Sequence, residues 1–292
     1  MPQRISLIRI VMILFLLSLC SFKEAVAVRY VFSLSKGPFG KKLKNPGDFT
    51  FRNDRFYVVD TGNKRLISYS LSGKPLVAFN PEGKLKEPID LAFIGESLIV
   101  VDEALGGIYW IDFEKRRVTP YLIRYHGEQI YPKAIQVVKN FLYVLDFKTG
   151  KVFKFKVLSN GTLKGIKAIY PKKESFKGFI DFRVVQSGFW GLSRLERRIY
   201  HYYNGKWESF SLKGKCFAPV SLEVRFNDVF VLDRYLCKVF VFRLPDFKEV
   251  GEFGKKGRNS GFLYNPVKIR YLHYNYIGIG DEGNGRVDIF RY

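Results

Sequence analysis

The sequence has 292 residues and carries 49 Lys and Arg against 27 Asp and Glu, a formal net charge of +22 at pH 7. A charge of this size favours anionic partners, which include nucleic acid, acidic glycans, anionic lipid and acidic proteins. Helical stretches with an apolar period of 3.6 residues are essentially absent, so an all-helical architecture is excluded.

Residues 1–27 have the layout of a secretory signal peptide. Arg4 and Arg9 precede an apolar run at residues 10–19, and the segment ends on small residues at Ala27. The run is shorter than the roughly 20 residues that span a bilayer comfortably. We therefore expect cleavage after Ala27 and an exported protein, periplasmic or extracellular. The alternative is an uncleaved N-terminal anchor, which is the one membrane attachment we expect; a lipid anchor at Cys20 is a weaker reading.

The chain without this leader keeps 46 basic and 26 acidic side chains, a net charge of +20. Export makes nucleic acid the least natural of the anionic partners. Cys216 and Cys237 lie 21 residues apart, and an oxidising compartment makes a disulfide between them one reading. Two buried free thiols are the other. A lysine-rich chain without methionine also hints weakly at a thermophile.

One theme recurs six times along the chain: an apolar segment, usually led by Pro, then a polar turn, a run ending in Asp, and a further aromatic strand. Alternating branched and aromatic residues with Gly and Asn at the turns are typical of β-strands. The spacing of 40 to 48 residues is enough for one four-stranded blade per copy. The copies begin near Pro46, Pro88, Pro132, Phe179, Pro219 and Pro266, and their second strands end at Asp60, Asp102, Asp146, Ser193, Asp233 and Asp281.

Two segments resemble the NHL-repeat family most closely. One runs from Phe-Gly-Lys-Lys-Gly at residues 253–257 through Asn-Pro at 265–266 to residues 281–287, and the other covers residues 60–66. The resemblance spans residues 28–292 and implies a six-bladed β-propeller of the exported bacterial type. It departs from the pattern in the fourth copy, where Ser193 replaces Asp.

The two ends of the propeller are expected to meet. The last copy stops after its third strand, while residues 29–34 precede the first copy and look like an orphan fourth strand. Pairing the two closes the ring and leaves no open sheet edge. The predicted fold is therefore an all-β, six-bladed propeller closed by its N-terminal strand.

Strand order in an NHL-like blade places the segment before the first strand and the turn after the second strand on one face. These positions are rich in Lys and Arg, whereas the loops of the opposite face carry more nearly equal numbers of basic and acidic residues. The basic face is interpreted as a partner-binding surface, and a lysine coat that only keeps the protein soluble is the alternative. The recurring strand-end aspartates are interpreted as turn formers, because Asp accepts hydrogen bonds from following backbone amides. The predicted partner-binding face comprises Lys64, Arg65, Lys148, Lys151, Arg194, Arg197, Arg234, Lys238, Lys255, Lys256 and Arg286.

Side chains two and four places after the leading Pro position should line the central channel, because alternate residues of a strand share one side. Three carboxylates there could hold a hard cation such as Ca²⁺, and two arginines could clamp a carboxylate or phosphate. A water-filled tunnel of compensating salt bridges is the favoured alternative. The channel candidates are Asp48, Asp90, Asp181, Arg183, Glu223, Lys268 and Arg270.

Catalytic motifs are otherwise missing from the sequence. His126, His201 and His273 fall in different copies, so they are not expected to converge on a zinc ion. We expect a noncatalytic, monomeric binding or scaffold protein without a cofactor, whose basic face meets an acidic protein or an anionic envelope polymer. The alternative is a hydrolase, lactonase or lyase with a metal or ligand in the channel.

Overall fold

The computed structural model describes residues 27–292. The predicted signal peptide lies outside the described residues except for its last residue. The strands, numbered in chain order, are β1 (Arg29–Leu34); β2 (Pro46–Arg52), β3 (Arg55–Asp60), β4 (Arg65–Ser70), β5 (Pro75–Phe79); β6 (Pro88–Ile94), β7 (Ser97–Asp102), β8 (Gly107–Asp112), β9 (Arg117–Tyr121); β10 (Arg124–Tyr125), β11 (Glu128–Gln129); β12 (Pro132–Val138), β13 (Phe141–Asp146), β14 (Val152–Val157), β15 (Leu163–Ile169); β16 (Asp181–Val185), β17 (Gly188–Ser193), β18 (Arg198–Tyr203), β19 (Lys206–Ser211); β20 (Pro219–Arg225), β21 (Asp228–Asp233), β22 (Lys238–Arg243), β23 (Lys248–Phe253); β24 (Pro266–Tyr271), β25 (Tyr276–Asp281) and β26 (Arg286–Arg291).

Twenty-four of these strands form six antiparallel four-stranded sheets, which confirms the predicted six-bladed propeller, and β10 and β11 form a separate two-stranded sheet. Blades 1 to 5 are β2–β5, β6–β9, β12–β15, β16–β19 and β20–β23, and blade 6 is β24–β26 completed by β1. The first strand of each blade contacts the first strands of both neighbouring blades, which places these strands around the axis. Second strands such as β7 and β13 are buried almost throughout, and they read as continuous apolar runs because both of their faces are covered.

The N-terminal strand closes the ring as predicted. β1 pairs antiparallel with β26, with Arg29 opposite Arg291 and Leu34 opposite Val287. Ser33 Oγ donates a hydrogen bond to Asp288, and Arg286 Nε lies 2.9 Å from the same carboxyl group. The seam of the ring is therefore an antiparallel pair, with one register shift between Tyr30 and Phe32, that is joined by a buried polar link.

The apolar core of the described residues is divided into clusters that each fill the space between two adjacent blades. Leu91 and Leu98 of blade 2, for example, pack with Val59 and Leu66 of blade 1. This arrangement explains why both faces of every blade are apolar.

The fourth copy departs from the prediction at its start. β16 begins at Asp181 rather than at Phe179. Phe179 is instead a buried loop residue whose ring packs against Phe176, Phe189 and Tyr200. Without the leading Pro, the strand starts where ladder pairing with β17 begins, at Asp181 opposite Leu192.

The disulfide reading for the two cysteines is wrong. Both are buried free thiols. Cys216 lies in the cluster between blades 4 and 5, whereas Cys237 lies in the cluster between blades 5 and 6. Because the two side chains occupy opposite sides of the blade 5 sheet, a bridge would have to pass through it.

No helix within residues 27–292 is long and apolar enough to cross a membrane.

Candidate functional site

The strand-end aspartates act as turn formers, as predicted, and they also fasten the preceding loop. Asp60 accepts hydrogen bonds from the Lys44 amide and from the Asn63 side chain. Asp146 likewise accepts the amides of Tyr131 and Thr149. Each carboxylate therefore joins the segment before the first strand to the turn after the second strand. This is the physical reason why these two sets of residues lie on one face.

Blade 4 solves the same problem with a different residue. Ser193 Oγ donates to Glu196 Oε2 at 2.7 Å, and the amide of Lys177 donates to the same oxygen. Tyr200 donates its hydroxyl hydrogen to Oε1 of Glu196. Glu196 thus supplies the carboxylate that Ser193 lacks, three residues farther along the chain.

All eleven predicted basic-face residues lie in these turns, in the adjoining strand starts or in the segments before first strands. Several cations are engaged within the protein: Arg65 with Asp60, Arg234 with Glu282, and Arg286 with Asp288. Lys238 pairs with Glu252. The ammonium groups of Lys148, Lys151, Lys255 and Lys256 lie over aromatic rings. The remaining three of the eleven predicted basic-face residues are Lys64, Arg194 and Arg197.

The channel brings together all seven predicted channel residues. Lys268 Nζ lies 3.2 Å from both Asp90 Oδ2 and Asp181 Oδ1. Arg270 Nε lies 3.0 Å from Asp48 Oδ1. Arg183 Nε donates to Glu223 Oε2 at 3.0 Å, with both side chains buried. Three cations from blades 4 and 6 therefore lie between carboxylates from blades 1, 2, 4 and 5.

The same groups also join adjacent inner strands through backbone hydrogen bonds. Asp181 of blade 4 accepts the Leu222 amide of blade 5, and Glu223 of blade 5 accepts the Tyr271 amide of blade 6. Gln136 of blade 3 bonds to both the amide and the carbonyl of a blade 4 residue. The arrangement holds the ring together, as the salt-bridge reading of the channel anticipates.

Four channel carboxylates face three channel cations, so one negative charge is in excess when all are ionised. Burial, reinforced by Asp48, raises the pKa of Asp90 well above its ordinary value of 3.8. Burial opposes ionisation of Asp181 too, but Lys268 and Arg183 outweigh it and lower its pKa. Protonation of Asp90, which its raised pKa favours, would remove this excess charge.

Within residues 27–292, no group of three or more His, Cys, Asp or Glu side chains is arranged to hold a metal ion. Lys268 and Arg270 lie among the three aspartates considered as calcium ligands. A cation in the channel would have to compete with these two side chains for the same oxygens.

The structure also contains a large cleft that the sequence reading missed. It has a volume of about 1130 Å³ and lies on the face opposite the basic one, over the mouth of the channel cavity, with which it shares Thr50, Phe51, Val185 and Tyr271. Its walls come from blades 1, 4, 5 and 6, and more than half of its lining residues are aromatic or amide-bearing. The lining side chains with the clearest binding chemistry are Gln186, Tyr203, Arg225, Phe226, Asn227, Tyr274 and Asn275.

No family model matches the chain, and no curated protein matches it. Kinship with the NHL-repeat family therefore stays a prediction from the two motif segments.

Similar solved structures are numerous. An auxiliary nutrient binding protein from Bacteroides ovatus aligns with a TM-score of 0.65 at 16% identity, covering 90% of this chain and 76% of that one. A catalytically inactive virginiamycin B lyase from Staphylococcus aureus, solved with quinupristin, aligns with a TM-score of 0.61 at 12% identity, covering 91% and 100%. At such identities the likeness concerns the fold alone, and the chain is an all-β, six-bladed propeller.

Proposed function

We propose that the chain is an exported, noncatalytic binding propeller, which docks its basic face onto an acidic protein or an anionic polymer of the cell envelope. The proposal rests on how charge and exposed apolar surface are distributed around that face. It treats the protein as a monomer without a cofactor.

The observation that carries the proposal is a patch on blades 3, 4 and 5. The turn after the second strand exposes Phe147, Leu195 and Tyr235 in these three consecutive blades, each at 65% or more. Phe217, before the first strand of blade 5, is 64% exposed and lies next to Tyr235. Large apolar side chains at equivalent positions of neighbouring blades form a common surface, and such surfaces mark interaction sites.

The corresponding turns of the other blades expose no large apolar side chain, although Phe39, before the first strand of blade 1, is also fully exposed on this face. They carry Thr61 and Gly62 in blade 1, Glu103 in blade 2, and Glu282 with Gly283 in blade 6. A lysine coat needed for solubility alone would not place exposed apolar side chains in the turns of three adjacent blades. The asymmetry supports a docking surface with an orientation.

The patch also holds exposed cations beside the apolar side chains. Lys148 follows Phe147, Arg194 precedes Leu195, and Lys256 lies over the ring of Tyr235. Cations interleaved with aromatic groups suit a partner that offers both carboxylates and apolar surface. An acidic protein provides this combination, and an anionic polymer provides its charged part.

A noncatalytic role agrees with the channel, where every carboxylate is near a cation and the side chains hold the blades together. The similar nutrient binding protein is named for binding, whereas the similar lyase keeps the enzymatic alternative in view. An enzyme would need a channel side chain that is free to react with a substrate. Arg183 is paired with Glu223, and Arg270 is paired with Asp48.

The test measures retention on immobilised poly-L-glutamate at low and high salt. The variant Lys148→Glu/Arg194→Glu/Lys256→Glu reverses three charges of the patch, and Arg55→Glu/Lys139→Glu/Lys206→Glu reverses three exposed charges of the opposite face as a matched control. We expect the patch variant to elute at clearly lower salt than the control, because it loses the cations that contact the polymer. Both variants have the same net charge, so a difference in elution reports the position of the charges.

Equal elution of the two variants would show that the attraction comes from net charge and would sink the docking face. A second arm replaces Phe147 and Tyr235 by Ser. If the apolar side chains contribute, this variant binds an acidic protein fraction less tightly even at high salt, where charge is screened.

A further inference from the structure

The cleft on the opposite face contains an arginine whose surroundings differ from those of the other arginines near the channel. Arg225 ends β20 in blade 5, and its guanidinium carbon lies 3.5 Å from the ring centre of Tyr271 and 4.5 Å from that of Phe226. Nη2 donates to Asn275 Oδ1 at 3.2 Å. The guanidinium of Arg225 thus contacts two aromatic rings and is hydrogen-bonded to a neutral amide.

No carboxylate is paired with this guanidinium among residues 27–292. Nη1 of Arg225 is buried and makes no hydrogen bond there. Burial lowers the pKa of Arg225, which is the effect of a cation without a carboxylate to compensate it. Arg52, Arg183 and Arg270, the arginines of the adjoining channel cavity, each have a carboxylate partner.

The corner around Arg225 is already ordered for a ligand. Asn275 Oδ1 also accepts a hydrogen bond from the Tyr271 hydroxyl, and the backbone N–H of Asn275 donates a hydrogen bond to the same hydroxyl. Phe226 is 80% exposed at the tip of its loop, so its ring can move away from the guanidinium at little cost. An incoming anion would then reach nitrogen atoms that the protein leaves unused.

The rest of the cleft offers stacking surfaces and amides. Tyr203 and Tyr274 are about half exposed, and Gln186 and Asn227 line the same cavity. Exposed aromatic faces suit the C–H faces of a flat ring, and amide side chains suit hydroxyl groups. A guanidinium suits a carboxylate, which it binds with two parallel hydrogen bonds.

From this combination we propose that the cleft is a binding site for an acidic sugar, a hydroxylated ring that bears a carboxylate. The carboxylate lies on Arg225, the ring lies against the exposed aromatic side chains, and the amides bind the hydroxyl groups. The volume of about 1130 Å³ accommodates an oligosaccharide of a few units. This site is separate from the basic face and does not depend on the function proposed for it.

The test is calorimetric titration of the purified protein with trigalacturonate in 150 mM salt, with the fully methyl-esterified trisaccharide as the neutral ligand. We expect the neutral ligand to bind at least tenfold more weakly. Arg225→Gln should weaken trigalacturonate binding by about tenfold or more, the usual effect of removing a charge-assisted hydrogen bond. Arg55→Gln, at the exposed start of β3 on the same face, should leave binding unchanged.

Two further variants separate the possible causes. Tyr203→Ala removes a half-exposed ring, and it should weaken binding several-fold even if Arg225→Gln proves unstable. Lys148→Gln/Arg194→Gln/Lys256→Gln removes charge from the basic face and should leave binding intact. The proposed acidic-sugar site is overturned if the wild-type protein fails to bind trigalacturonate or if Arg225→Gln and Tyr203→Ala bind it as well as wild type does. It is also overturned if only the basic-face variant loses affinity.

Discussion

Arg270 Nε lies 3.0 Å from Oδ1 of Asp48, so an ion pair joins the inner strand of blade 6 to that of blade 1. Both groups are largely buried, and Arg270 is also within 4 Å of Asp90 and Asp181. The pair therefore contributes to the point where the ring closes. The contribution of this ion pair to the free energy of unfolding can be measured by replacing one partner or both.

Replacing Arg270 by Met should destabilise the protein by about 3–5 kcal/mol, because Asp48 is left buried without its cation. Urea unfolding checks this, with Arg55→Met at an exposed site as the control. The double variant Arg270→Met/Asp48→Leu should recover much of the loss, since no unpaired charge remains. An Arg270→Met protein as stable as wild type would mean that the pair has no structural role.

The pH dependence of stability should change when Asp90 is replaced by Asn. The pKa of Asp90 is raised in the folded protein, so the folded state keeps a proton that the unfolded state loses above its ordinary pKa of 3.8. Its contribution to stability therefore falls as pH rises through that interval. Asp90→Asn mimics the protonated form and should be stabilised relative to wild type as pH rises from 4 to 8. Asp246→Asn, which is exposed, should follow wild type at every pH; parallel curves for Asp90→Asn would contradict the assignment.

Deleting residues 28–35 should lower the melting temperature strongly, because it exposes the β26 edge and removes the buried side chain of Leu34. A milder version is Leu34→Ala, which should cost about 2–5 kcal/mol for a buried leucine. Arg29→Ala, at the exposed start of β1, should cost little. A truncated protein that melts with the intact one would show that β1 is dispensable.

In blade 4, the hydrogen-bonding role of Glu196 should be transferable to residue 193. Glu196→Ala should destabilise the protein by about 1–3 kcal/mol by leaving the Ser193 hydroxyl and the Lys177 amide without an acceptor. Adding Ser193→Asp should restore most of this, because an aspartate at the strand end performs the role in other blades. Glu174→Ala, at an exposed position, is the matched control. Failure of Ser193→Asp to rescue would mean that the blade 4 turn differs in backbone geometry.

The two cysteines should behave as buried thiols. Burial raises the pKa of Cys216 to about 12, so its reactive thiolate is scarce at pH 8. We expect a thiol reagent to modify Cys216 and Cys237 quickly only after denaturation, and a reducing agent to leave the melting temperature unchanged. Cys216→Ser should remove one equivalent of the thiol signal. A mass 2 Da below the reduced value would instead reveal a bridge.

The repeats were predictable because each strand encodes its own period. The second strands end at the six predicted residues, and β1 spans the predicted residues 29–34. The seven channel residues were also found from sequence, since alternation on a strand fixes which side chains share a side. Their role as ligands remains a prediction.

The errors have physical causes of a different kind. Cys216 and Cys237 lie on the same blade, but a sheet has two faces and sequence spacing does not reveal which face a loop residue reaches. Glu196 was missed because it replaces a strand-end carboxylate from three positions away. The cleft was missed because four loops from four blades form it; its signal was the polar and aromatic composition of residues 225–227 and 271–275.

The closure of blade 6 also constrains how the chain can fold. Arg29 pairs with Arg291, so the sheet at the seam joins residues separated by almost the whole sequence. Contacts of such high contact order form late and slowly, and a nascent chain cannot make them until its last strand has been synthesised. Until then β1 is an unpaired edge open to wrong partners. A chaperone that holds the N-terminal strand would therefore act on the most vulnerable step of folding.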